Sequence, residues 1–217
     1  ITSEPHPQSH PFVRDGKIAW TDYRHPTPQL YVYDPDTNQE APAPPNFPPQ
    51  HWSLRVGLPA ARRVPLLFSS TPSYLEVQPD TPAILYPLET GLPYQYANFF
   101  IYFPPQADYA TIKVASQLHP SPWTLTSRAE PAPVSIHDYR LVWVQVPQST
   151  LSFAFRKRWE GPTLEIRCAD LRSRKQWHVT FIPLYHTVPQ IWQNRIVWAD
   201  TRNGNWEIFL ATLKHLK

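Results

Sequence analysis

An all-β repeat architecture is predicted by three observations: a phrase written twice, weaker copies of it in between, and no long window of helical spacing. The phrase Ile18-Ala-Trp20-Thr-Asp22-Tyr-Arg24 returns as Ile196-Val-Trp198-Ala-Asp200-Thr-Arg202, at a gapless offset of 178 residues. Each copy runs on into an alternating apolar stretch, Leu30-Tyr-Val-Tyr33 and Ile208-Phe-Leu-Ala211. Each is approached through proline, at Pro11 and Pro189. Alternation with period two is the signal of a half-buried strand. A strand–turn–strand unit repeated at both ends of one chain marks a β-repeat protein. The 28 prolines interrupt most windows in which a helix could form.

The middle of the chain carries further copies. At an offset of 96 from the last copy, Phe100-Ile-Tyr102 replaces Ile196-Val-Trp198, and Thr111-Ile-Lys-Val-Ala115 replaces Glu207-Ile-Phe-Leu-Ala211. At 55, Leu141-Val-Trp143 matches; its third strand, Leu164-Glu-Ile-Arg-Cys-Ala169, resumes at 42 after an insertion. The weakest copy pairs Leu66-Leu-Phe68 with Tyr74-Leu-Glu-Val77. The core triplets recur about every 44 residues, near the length of a four-stranded propeller blade. The predicted fold is therefore all-β: one β-propeller over 1–217 with five four-stranded blades, a six-bladed or incomplete ring being the alternative. The units fall at about 9–50, 51–90, 91–130, 131–185, and 186–217 plus 1–8. Each reads as an inner strand, a strand ending in an aromatic, an alternating third strand and a looser outer strand. Outer-strand candidates are Ala83-Ile-Leu-Tyr86, Trp123-Thr-Leu-Thr126 and Trp177-His-Val-Thr-Phe181. The last copy lacks one, and the leading segment Ile1–His6 is expected to pair there and close the ring, although Pro5 and Pro7 restrict it.

Aromatic residues at 14% suit packed sheets, and with only five glycines proline takes over turn formation. Gly204, between Asn203 and Asn205, is read as the strong hairpin signal. No stretch approaches the 18 apolar residues a membrane span needs. The net charge of +3 does not by itself imply nucleic acid. Cys168 aligns with Val32 and Leu210 and reads as a small buried apolar residue. The chain contains no methionine, position 1 included, which points to removal of an export signal, hence an extracytoplasmic location, or to a fragment.

The stretch Ile196-Val-Trp-Ala-Asp-Thr-Arg-Asn-Gly-Asn-Trp-Glu-Ile-Phe-Leu resembles the blade repeat of TolB-like (WD40-like) β-propellers. The likeness is strong over 189–213, good over 11–37, partial over 133–173 and poor over 41–116. It implies a propeller fold and a binding or assembly role, and it carries no catalytic motif. Physically, Trp20, Trp143 and Trp198 are expected to pack between neighbouring blades. Asp22 with Arg24, and Asp200 with Arg202, are expected to tie turns by charge-assisted hydrogen bonds. Where the copy at 141 reads Val144-Gln145, the acid is gone.

A glycosidase needs two facing carboxylates; Asp138, beside an inner strand, is the candidate to face a central tunnel, and it has no matching acid on the other inner strands. The nine histidines show no metal-ligand spacing, so no metal and no cofactor is expected. No Gly-rich phosphate loop or nucleophile elbow occurs. The most unusual local feature is basic: Arg156, Lys157, Arg158, Arg167, Arg172, Arg174 and Lys175 exceed the acids of 156–175 by four charges, with Trp159 and Trp177 at the flanks. This run coincides with the insertion and reads as a docking loop for an acidic protein, with an anionic polysaccharide or membrane surface as further partners; nucleic acid needs a wider basic footprint. The expected function is a non-enzymatic, protein-binding accessory subunit of a larger assembly, a membrane-associated one included. A carbohydrate-binding propeller using Trp192 or Trp206 is the alternative, and a glycoside hydrolase the third reading.

Overall fold

The computed structural model describes residues 1–2, 5–47, 55–56, 75–77, 83–85, 94–103, 111–116, 119–126, 134–145, 164–180 and 189–214. Among these residues there is no helix, and the strands form four sheets. Sheet I is β1 (Gln8–Arg14), β2 (Lys17–Asp22), β3 (Gln29–Asp34) and β4 (Gln39–Pro42), in that order. Short strands β5 (Arg55–Val56), β6 (Leu75–Val77) and β7 (Ala83–Leu85) follow. Sheet II is built on β8 (Tyr94–Tyr96), β9 (Phe99–Tyr102), β10 (Thr111–Ser116) and β11 (His119–Thr126), with β6 added parallel to β8. Sheet III is built on β12 (Val134–His137), β13 (Arg140–Gln145), β14 (Glu165–Asp170) and β15 (Gln176–His178). Sheet IV has β16 (Gln190–Trp192), β17 (Arg195–Asp200) and β18 (Glu207–Thr212).

The strand pairs reproduce the repeat offsets residue by residue. Ala19 faces Val32, Ile101 faces Val114, Val142 faces Cys168 and Val197 faces Leu210 across the second and third strands of the four sheets. Each first hairpin closes through two residues, of which the first has positive φ: Asp15 (48°), Ala97 (51°), Asp138 (44°) and Gln193 (52°). Such turns match the twist of the flanking strands. Asp15-Gly16, an Asp-Gly pair, forms the two-residue turn of the first of these hairpins. Gly204 instead sits within the longer connection between β17 and β18, where its N–H bonds Thr201 O at 2.9 Å.

One candidate outer strand lies elsewhere than expected. Ala83–Leu85 pairs antiparallel with the inner strand β12 of sheet III, and β5 adds to it in parallel. The other two, at Trp123–Thr126 and Trp177, do stand outside their third strands, in β11 and β15. The triplet Leu66–Phe68 of the expected second blade lies outside the described residues, among which four sheets are formed.

The sheets stack face to face in the order II, III, IV, I. Trp143 and Leu141 of sheet III pack with Tyr94, Ile101 and Val114 of sheet II. Trp198 of sheet IV packs with Val142, Ile166 and Cys168 of sheet III. Trp20 of sheet I packs with Val197, Ala199 and Ile208 of sheet IV. Period-two alternation explains this economy: on β13 and β17, successive residues serve opposite neighbours. The far face of sheet I, Phe12, Ala19 and Val32, packs with Leu30, Ala43 and Phe47.

Of the leading segment, residues 1–2 and 5–7 are described and none is assigned to a strand of sheet IV, but three hydrogen bonds tie this end of the chain to it. Ile1 N donates to Ile208 O, Ile208 N donates to Thr2 Oγ1, and Gln8 N donates to Trp206 O, each at 3.0 Å.

Candidate docking face

Two faces are built by the connections at opposite strand ends. On one, the connections β2–β3 and β17–β18 hold the repeated Trp-x-Asp-x-Arg residues. Trp20 Nε1 donates to Asp22 Oδ2 at 3.2 Å, and Arg24 grips the same carboxylate through its backbone N, Nε and Nη2 at 2.8–2.9 Å. Burial pushes the Asp22 carboxyl up, but the hydrogen bonds from Arg24 and Trp20 together outweigh it and hold the group below its ordinary range. Trp198 Nε1 donates to Asp200 Oδ2 at 2.8 Å, and Arg202 closes on Asp200 in the same way. The guanidinium planes then cover aromatic rings, Arg24 on Tyr31 at 4.1 Å and Arg202 on Phe209 at 3.9 Å. These carboxylates are fully buried and their acceptor positions are taken.

The other face carries the first hairpin turns and the β14–β15 turn. Two arginines stitch it across sheets. Arg140 Nη1 donates to Gln193 O at 3.2 Å, joining sheet III to sheet IV, while pairing with Asp138 at 3.3 Å. Arg195 Nη1 donates to Gly16 O at 3.2 Å and its Nη2 pairs with Asp36, joining sheet IV to sheet I. Gly16 lies under Trp192: an added Cβ would meet that ring at 3.2 Å, and the φ of +78° is left-handed. Beneath the stitches, the edge amides of β16 are received by side chains of β12. Ile191 N donates to Ser135 Oγ at 3.0 Å, and Gln193 N donates to His137 Nδ1 at 2.7 Å. Nothing in the sequence flagged Ser135, His137, Arg140 or Arg195, because side chain-to-backbone bonds between sheets leave no periodic trace.

On this stitched base stands the turn 171–175. Asp170 anchors it by accepting from Ser173 N at 2.7 Å, and Leu171 N donates to Tyr139 O. Arg172 lies 3.6 Å above the Tyr139 ring, which itself meets Tyr96 and Phe99 edge-on. Arg174 and Lys175 are exposed, and among the described residues neither side chain has an acidic partner. Of the basic residues singled out in sequence, Arg156, Lys157, Arg158 and Trp159 lie outside the described residues, and Arg167 is engaged with His178. Arg172, Arg174 and Lys175 stand beyond Asp170, at the far end of β14 from Glu165.

The remaining candidates are placed as follows. Asp138 occupies an exposed turn between β12 and β13 and pairs with Arg140. Trp192 stacks on His137 at 6.1 Å and covers Gly16. Trp206 is exposed, as is Tyr23. Cys168 is fully buried, and burial pushes its thiol up to about 12. Among the described residues no group of three or more His, Cys, Asp or Glu could hold a metal ion, and no helix is long and apolar enough to cross a membrane.

No family model matches the chain, and no curated protein matches it. Among solved structures, the crystal structure of the tricorn protease is similar over 99% of this chain and 22% of that one, at 8% identity and a TM-score of 0.28. The chain thus spans less than a quarter of that protein's length, and the likeness carries no functional argument.

Proposed function

We propose that this chain is a non-enzymatic scaffold of the TolB-like β-propeller type that binds another protein as an accessory subunit of a larger, extracytoplasmic assembly. The observation that carries the reading is where the recurrent polar residues point. Asp22 with Arg24 and Asp200 with Arg202 close on one another within their own sheets rather than converging on a shared centre. A fold whose repeated carboxylates are spent on ties has its surface left for recognition. The stitched face supports the same reading. It is held by Arg140 and Arg195 and presents Arg174 and Lys175, so little ordering is needed on binding. Its charge suits an acidic partner, which positive side chains steer and orient.

Trp206 and Tyr23 keep a carbohydrate-binding reading in second place, since both are exposed. Trp192, the other aromatic of that reading, is partly buried, stacking on His137 and lying over Gly16.

The test is size-exclusion chromatography with light scattering on the native protein, with mass spectrometry of whatever co-elutes. Migration in a complex much larger than the chain is expected, weakened by Arg174→Glu with Lys175→Glu. A clean monomer overturns the accessory-subunit reading and moves carbohydrate binding into first place.

A further inference from the structure

Sheets III and IV meet where β12 lies against β16, and two side-chain clasps span the joint. Ser135 and His137 are alternate residues of β12 and so share one face of that strand. They receive alternate amides of the other sheet: Ile191 N donates to Ser135 Oγ at 3.0 Å, and Gln193 N to His137 Nδ1 at 2.7 Å. The clasps are alike in geometry but not in chemistry. A serine hydroxyl accepts a hydrogen bond across the whole physiological range of pH. An imidazole nitrogen accepts only while it carries no proton. The donor to His137 is a main-chain N–H, so in the folded protein Nδ1 is the unprotonated ring nitrogen.

The residue held by this clasp is under constraint. Gln193 has a φ of 52°, in the left-handed region that a side chain disfavours. Both its backbone groups are gripped by sheet III, the N–H by His137 and the carbonyl by Arg140 Nη1 at 3.2 Å. His137 itself is buried, with its ring stacked on Trp192. The charged and titratable groups around it come from the elements packed on β12. Arg140 stands opposite His137 in the β12–β13 register and pairs with Asp138 at 3.3 Å, and Tyr139 completes that turn. Arg195, at the start of β17, is bound to Gly16 O and Asp36. The paired residues of β7 are Ala83, Ile84 and Leu85, and β16 consists of Gln190, Ile191 and Trp192; none of these titrates. A proton on His137 therefore places a second cation opposite Arg140, at the same Gln193 peptide.

We propose that His137 is an acid-released clasp between sheets III and IV. Its protonation sets an Nδ1–H against the Gln193 N–H and frees the turn at 192–195, while Ser135 keeps its hold on Ile191. The closed joint contains the neutral ring, and opening lets the ring take up a proton at the ordinary histidine value, near pH 6.5. The clasp is thus fully held above about pH 6.5 and weakens as pH falls below it, by the uptake of one proton on opening. Release relaxes the left-handed Gln193 and uncovers the stitched face at its centre, where Trp192 lies over Gly16.

The experiment follows amide hydrogen exchange in the 217-residue protein from about pH 8 to about pH 5, with each rate corrected for its intrinsic pH dependence. Protection at Gln193 is expected to be constant above about pH 7 and to fall about tenfold per pH unit below about pH 6.5. Protection at Ile191 should stay constant over the same range. His137→Asn supplies an amide oxygen in place of Nδ1 without a titrating group, and should make protection at Gln193 independent of pH. His137→Phe keeps a ring against Trp192 without an acceptor, and should leave Gln193 unprotected throughout. The ring nitrogen signals of His137 in the unsubstituted protein give a reading that needs no variant: Nδ1 should be unprotonated above about pH 7. Gln193 protection that stays flat down to about pH 5, or Nδ1 found protonated above about pH 7, overturns the clasp. A parallel loss at Ile191 and in sheet II shows general acid unfolding and overturns it too, as does a slope that survives in His137→Asn.

Discussion

Sheets III and IV place the same side chain at the same point and finish it differently. Trp198 and Trp143 each project from the second strand into the preceding sheet, and both are almost fully buried. Trp198 donates an indole hydrogen bond to Asp200, whose charge Arg202 balances. Trp143 has Gln145 in place of the aspartate, and among the described residues its Nε1 has no partner. Sheet I sides with sheet IV, through Trp20, Asp22 and Arg24. The difference separates two roles that the repeated phrase joins. The ring supplies the packing between sheets, which every copy needs. The Asp–Arg pair fixes the connection that follows, and sheet III dispenses with it where its connection to β14 is long.

The comparison can be broken first at the ring. Trp143→Ala and Trp198→Ala should each cost about 3–5 kcal/mol, because the cavity term does not depend on the polar tie. Chemical denaturation of the two variants reads this directly. A cost for Trp143→Ala far below that of Trp198→Ala would mean that the tie, not the packing, carries the phrase.

The polar half is tested next. Asp200→Ala leaves Arg202 and the Trp198 indole without their acceptor and should cost about 3 kcal/mol, the lower end for a broken buried pair because Arg202 is partly exposed. Gln145→Ala, at the matching position of sheet III, should cost no more than about 1 kcal/mol. Equal losses at the two positions would contradict the division of roles.

The smallest effect is a pH dependence. The Asp22 carboxyl titrates below its ordinary range in the folded protein. Its contribution is therefore fully present above the ordinary carboxylate value, near pH 4, and is lost as pH falls through the lower folded value. The stability gap between the native protein and Asp22→Asn should stay constant above about pH 5 and narrow below about pH 4. A gap that widens in acid would show that the carboxylate is destabilising where it stands.

The parts legible in the sequence were those governed by local periodicity. The all-β class, the offsets relating the second and third strands, the burial of Cys168 and the positions of Trp20, Trp143 and Trp198 all follow from alternation within a repeat. Three kinds of feature were not legible. Ala97, Asp138 and Gln193 open tight turns with positive φ although none is glycine, so composition gives no warning. The pairing of Ala83–Leu85 with β12 is a contact across sheets, and its own alternation fits either edge equally well. The acceptors Ser135 and His137 face amides 56 residues away, a distance at which no pattern reaches. The basic run was visible, but linear proximity hid that Arg172, Arg174 and Lys175 lie a full strand beyond Glu165.

The contact of sheet I with sheet IV joins residues that are nearly a whole chain apart, as Gly16 O and Arg195 show with a separation of 179. Sheets II, III and IV are neighbours in sequence as well as in space, so their docking closes comparatively short loops. The Trp20 interface closes the longest one, and loop-closure entropy together with high contact order makes it the slow step of assembly. A single cut between β4 and β5 would leave every described sheet intact, yet it would turn this interface from an intramolecular contact into the meeting of two separate fragments.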